Sequence, residues 1–263
     1  MKLLGRDSQL ARLLEATCNQ LSALDPQRDG PALMEQVQAA RPDLKKKIDA
    51  ALTAAKPEVA ALVPRTIGAG MLSIMRKEVP ELIDRLVARI NDRSTEPALR
   101  CALVSVLGYV VQPRDIVPDD APGGYGFVDD HALLVAITLQ LTDATPANAP
   151  AIEELQKRLA SLTSMLPMHV APALQAAIQG TVLMFQSLRM LPPQAADSMT
   201  QMVLADPIGA TAPQPPQAPP GWVPPNLSPP DRGRWSGGIY VEGNNVIVPG
   251  GPSLLDGQLY IPS

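Results

Sequence analysis

Apolar side chains recur every three or four residues through most of this chain, and this spacing constrains the fold more than any other feature. The series are clearest at residues 10–21, 44–52, 82–90 and 152–166. Since an α-helix completes one turn in about 3.6 residues, each series lies along one side of a helix, and that side must pack against a neighbour. The last series also places Glu154 four residues before Arg158, a spacing that favours an ion pair on the helix surface.

Prolines and the absence of strand patterns complete the prediction for the first 205 residues. Prolines lie at or near the expected helix ends, at positions 26, 42, 57, 64, 80, 97, 113, 150, 167, 172 and 192. Proline fits the first turn of a helix but interrupts a helix interior. No alternation of apolar and polar residues, which would indicate strands, occurs before residue 206. We therefore expect an all-α domain at residues 1–205, built from about eight short helices.

Methionine is expected to fill gaps in the core of this domain, which has few aromatic side chains. Six methionines lie between Met165 and Met202. Their unbranched, flexible side chains suit irregular core spaces, and this is the interpretation that we favour. The alternative is a soft groove that binds a partner.

Charge, cysteine content and hydropathy exclude several classes of protein. The net charge of −4 gives no positive surface for phosphate groups, so we expect no nucleic acid partner. Cys18 and Cys101 lie far apart and no signal segment opens the chain, which predicts a cytoplasmic protein. The best apolar run, residues 101–111, is about half of the ~20 residues that cross a bilayer, so no transmembrane span is expected.

The composition changes at residue 206, where the helical pattern ends. Residues 206–232 are rich in proline, which favours an extended polyproline II linker because proline lacks the backbone donor that helices and sheets use. Beyond the linker, residues 233–263 contain two short β-rich runs around the sequence Gly243, Asn244, Asn245, which favours a hairpin turn. A third run at residues 258–261 would add a strand to this β-rich tail.

We expect the β-rich tail to dock on another surface, because so short an element cannot bury enough apolar area to offset its own ordering entropy. The candidate partner-binding residues are aromatic or aliphatic: Trp235, Ile239, Tyr240, Val241, Val246, Val248 and Tyr260. Since a stiff proline-rich spacer holds the tail away from its own helical domain, the receiving surface is expected on a protein partner or on a neighbouring subunit of a homo-oligomer. Docking on the chain's own helical domain is the alternative.

One stretch near the middle of the chain combines five aspartates with a histidine. It reads YVVQPRDIVPDDAPGGYGFVDDHALL and spans residues 109–134. Apolar segments at residues 98–111 and 132–141 flank it. This arrangement predicts a helical hairpin whose connection, the aspartate loop of residues 115–131, carries the carboxylates.

Carboxylates so close together need hydrogen bonds, cations or a metal ion, and three explanations compete. In the structural explanation, Asp115 and Asp119 bond to backbone groups in turns, and Asp129 or Asp130 caps the next helix. In the second, Asp115, Asp119, Asp129, Asp130 and His131 bind magnesium, calcium or manganese. In the third, the charged loop contacts a partner. We favour the structural explanation, which requires no cofactor.

This region resembles the YkvA-like family, a bacterial domain of unknown function. The resemblance rests on Tyr109, Pro113, Asp115, Pro118, Asp119, Pro122, Gly126 and the pair Asp129 and Asp130, all within residues 98–140. Three features depart from the family pattern: Gln112 stands where serine is usual, Val117 replaces isoleucine, and GGYG is one residue longer. The resemblance implies a helical hairpin at residues 98–142 in a bacterial protein, and it brings no activity and no catalytic residues.

The sequence favours a protein without catalytic activity. It contains no nucleophile elbow, no phosphate-binding GK[ST] loop and no CxxC motif. We therefore expect a non-enzymatic helical scaffold or adaptor that docks through its C-terminal tail. The alternatives are a metal-dependent enzyme, such as a hydrolase, that uses residues 115–131, and a peripheral membrane-associated protein.

Overall fold

The structure is a computed structural model that describes residues 4–5, 8–52, 57–113, 116–168, 170–208, 240–242, 245–247, 253–255 and 258–260. Its internal contacts divide the chain into two compact units, Met1–Thr211 and Ala212–Ser263. We call the first unit the helical body.

The helical body is all-α, as the apolar periodicity predicts. Its helices are α1 (Gln9–Ala23), α2 (Pro26–Ala40), α3 (Pro42–Leu52), α4 (Pro57–Asn91), α5 (Pro97–Val110), α6 (Phe127–Leu141), α7 (Ala149–Met165), α8 (Ala171–Arg189) and α9 (Pro193–Ala205). A single 3₁₀ turn, Pro122–Gly124, lies between α5 and α6. No strand occurs among the residues of this unit that the structure describes.

Local sequence explains where several helices begin. Proline is the first residue of α2, α3, α4, α5 and α9, where its missing N–H would have no helical partner in any case. At α1, the Oγ atom of Ser8 accepts a hydrogen bond from the N–H of Ala11. At α2, Asp25 accepts hydrogen bonds from the N–H groups of Gln27 and Arg28. These side chains satisfy backbone donors that the helix itself leaves unpaired.

The prediction that all helices are short was wrong for α4, which has 35 residues. Pro64 and Pro80, expected at helix ends, lie inside it. An interior proline costs about 3 kcal/mol through a lost hydrogen bond and a steric conflict. In α4 a buried series that includes Leu72, Met75 and Val79 packs against neighbouring helices, and this burial offsets the local cost.

The centre of the helical body is formed by α5 and α6. Nine of the 14 residues of α5 and 12 of the 15 residues of α6 are buried. Helix α5 packs against α8 and α9, while α6 packs against α4 and α7. Because other helices surround them, both can be apolar on nearly every side. The aspartate loop connects these two central helices; in it Val117 and Gly124 are buried, whereas Pro118, Asp120 and Pro122 are exposed.

The prediction that the methionines between Met165 and Met202 fill the core was wrong for most of them. Met165 is buried and Met184 is partly buried. The other four are exposed: Met168, Met190, Met199 and Met202. Met199 and Met202 lie in α9 and Met190 directly follows α8, two helices that pack against α5 with their other side. Met168 lies in the connection between α7 and α8.

The second unit contains four short antiparallel strands, which are neighbours in chain order. They are β1 (Tyr240–Glu242), β2 (Asn245–Ile247), β3 (Ser253–Leu255) and β4 (Gln258–Tyr260). Val241 pairs with Val246, and Leu254 pairs with Leu259. Trp235, Ile239 and Val248, together with the connections between the strands, lie outside the described residues. The architecture of the β-rich tail therefore stays a prediction.

Candidate functional site

Close backbone packing positions the aspartate loop. Gly123 has a φ of 68° and lies so near α2 that a Cβ atom there would collide with the backbone of Leu33. A Cβ atom at Gly126 would collide with the carbonyl oxygen of Pro118. Pro118 and Gly126 therefore lie in contact, and this contact holds Asp119 beside the beginning of α6.

Near the beginning of α6 three consecutive ionisable residues, Asp129, Asp130 and His131, are buried, each with 0% exposure. Asp129 is the third residue of the helix, and its Oδ2 atom accepts a hydrogen bond of 3.2 Å from the N–H of Val117. This bond ties the loop that follows α5 to the helix that follows the loop.

The prediction that Asp129 or Asp130 caps α6 was wrong. The capping position is Gly126, which makes no side-chain capping bond, and the helix begins at Phe127. Because Phe127 and Val128 are already helical, both aspartates lie inside the first turn of α6 and not before it. They still lie at the positive end of the helix dipole, where a carboxylate is favoured.

The environment of Asp119 and Asp129 raises the pKa of both carboxyl groups. Burial raises the pKa of Asp129 to about 7, and the nearby charge of Asp119 adds to this, against the hydrogen bond from Val117. Burial raises the pKa of Asp119 to about 6, and the charge of Asp120 contributes. Among the described residues, one buried oxygen of each group has no hydrogen-bond partner. Both groups therefore titrate much closer to neutral pH than ordinary aspartates do.

His131 faces away from these carboxylates, toward α4. Its Nε2 atom lies 3.0 Å from the Oε2 atom of Glu78, whose Oε1 atom lies 3.0 Å from Nη2 of Arg158 in α7. Partial burial raises the pKa of Glu78, but the hydrogen bond to His131 and the charge of Arg158 outweigh it, so this pKa is lower than usual. One carboxylate thus links α4, α6 and α7. Arg158 also pairs with Glu154 at 3.2 Å, as their spacing predicts.

Tyr125 adds a further link that the sequence did not indicate. Its hydroxyl group donates a hydrogen bond of 3.0 Å to the carbonyl oxygen of Met165, at the end of α7. Burial, with the charge of Asp129, raises the pKa of Tyr125 to about 12. The phenol therefore stays protonated and acts as a donor. Sequence reasoning also missed Glu78 as the partner of His131, because 53 residues separate them.

The proposed metal ligands are only partly described. Asp115 lies outside the described residues. Asp129 contacts Val117 of the loop, whereas His131 contacts Glu78 of α4. These two proposed ligands therefore bond to different parts of the protein. Within the described parts of the chain, no group of three or more His, Cys, Asp or Glu side chains is placed to hold a metal ion. The metal site stays a prediction.

Comparisons with known proteins identify one segment of the chain. A family model described as "Protein of unknown function (DUF1232)" matches residues 99–136. This segment contains most of α5, the loop and the first part of α6. It is the hairpin that resembles the YkvA-like family, so the match confirms the resemblance to a domain of unknown function. No curated protein and no solved structure matches the chain.

Hydropathy limits what the described helices can do. None of them combines the length and the apolar composition that crossing a lipid bilayer requires.

Proposed function

We propose that this protein is a non-enzymatic helical scaffold or adaptor that docks to a protein partner or a neighbouring subunit through its C-terminal tail. The observation that carries the proposal is the complete burial of Asp129 and His131 in the helical body. A catalytic group must touch its substrate, and these groups instead contact Val117 and Glu78. Their contacts support a role in joining helices.

The form of the second unit supports a docking role for the tail. Each of its four strands has three residues. Strands of this length, in so small a unit, bury too little apolar area to be stable without a further surface. The aromatic residues Tyr240 and Tyr260, in β1 and β4, are the side chains that we expect to anchor the tail.

Substitutions in the full-length chain test the docking proposal. The double variant Tyr240→Ala, Tyr260→Ala should lose partner or subunit binding, measured by light scattering and by pull-down with the purified chain as bait. Gln258→Ala is the matched control, since it shortens a polar side chain in β4 and should leave binding unchanged. Equal masses and equal captured proteins for wild type and the double variant would contradict the proposal.

One observation favours a second candidate, a metal-dependent enzyme such as a hydrolase that uses the aspartate loop with magnesium, calcium or manganese. Raised pKa values like those of Asp119 and Asp129 are frequent at active sites. Metal analysis of the purified full-length protein tests this candidate. About one equivalent of metal per chain, lost in Asp119→Asn, would support it over the scaffold proposal.

A further inference from the structure

We draw no further inference here: the strongest candidate, the patch of exposed apolar side chains on the outward sides of α8 and α9 that includes Leu183 and Met202, carries none because nothing in the part of the chain that the structure describes shows what covers it.

Discussion

The beginning of α6 and the outward sides of α8 and α9 distribute polar and apolar side chains in opposite ways. Asp129 and His131 are fully buried, while Leu183 and Met190 are exposed. Buried ionisable groups lower stability unless they are bonded, and exposed apolar groups remain unfavourable until something covers them. Contacts within the chain offset the first cost.

The comparison separates side chains that join the helices of the body from side chains that lie exposed on it. Contacts of the α6 turn join segments that are far apart in the chain, namely Glu78 of α4, Val117 of the loop and Arg158 of α7. Changes in this region should therefore alter stability. Changes of exposed residues such as Met190 should leave stability nearly constant. The predictions below test this separation, beginning with the largest expected effect.

Gly123→Ala should destabilise the protein most. It forces a side chain into a left-handed conformation with a φ of 68° and against the backbone of Leu33. We expect the free energy of unfolding to fall by about 3 kcal/mol, measured by urea denaturation. Gly70→Ala is the control, because among the described residues no atom lies within 4 Å of a Cβ atom there, and it should be neutral or slightly stabilising. Similar losses for the two variants would mean that the loop is not closely packed on α2.

Stability should increase as the pH falls from 7.5 to 5. The pKa of Asp129 is raised from 3.8 to about 7, so in this range the folded protein holds a proton that the unfolded chain has released. We expect a gain on the order of 2 kcal/mol, and Asp119, whose pKa is raised to about 6, acts in the same direction. The lowered pKa of Glu78 acts in the opposite direction, as the pH falls below this range.

Thermal unfolding at a series of pH values measures this gain. Asp129→Asn should make the profile flatter, because it removes the titrating group with the larger rise in pKa. Asp143→Asn, which changes an exposed carboxylate after α6, should keep the wild-type profile. A wild-type protein that is less stable at pH 5 than at pH 7.5 would contradict the account of Asp129.

Glu78→Gln should lower the free energy of unfolding by about 1 kcal/mol, measured by urea denaturation. It weakens the bonds to buried His131 and to Arg158, and bonds to charged groups contribute more than neutral ones. Glu154→Gln is the control, since Glu154 is 67% exposed and pairs only at the surface with Arg158 among the contacts described. Such surface pairs contribute little, so its effect should stay within about 0.5 kcal/mol. Equal effects of Glu78→Gln and Glu154→Gln would mean that the contacts of Glu78 stabilise the protein no more than a surface ion pair does.

Met190→Gln should have the smallest effect on stability. At 86% exposure the side chain has little packing to lose, so the free energy of unfolding should change by less than about 0.5 kcal/mol. Urea denaturation measures this change. A loss of about 2 kcal/mol would show that Met190 belongs to the core.

Features that depend on local spacing were predictable from the sequence. Helical periodicity predicted the all-α body, prolines such as Pro26 and Pro97 marked helix ends, and the motif beginning at Tyr109 led to the family resemblance. Each of these signals lies within one continuous stretch of the sequence. Helix propensity, by contrast, did not predict the length of α4, since Pro64 and Pro80 read as breaks while distant contacts keep the helix continuous.

Features that depend on distant contacts were not predictable. Nothing near His131 in the sequence indicates Glu78, because only the packing of α6 on α4 brings them together. The two aspartates of α6 read as caps because a single sequence does not show which residue begins a helix to within two positions. The exposure of Met190 likewise depends on which side of α8 contacts α5. Tertiary packing, and not local chemistry, decided all three.

Thermal unfolding of the full-length protein with and without magnesium, calcium or manganese tests most directly whether the buried aspartates are structural. A ligand that binds only the folded state raises its melting temperature. The account predicts that none of the three ions changes the melting temperature beyond the effect of ionic strength, in wild type or in Asp119→Asn. A rise in the wild-type melting temperature with one of these ions, absent in Asp119→Asn, would contradict it and make the aspartate loop a metal site.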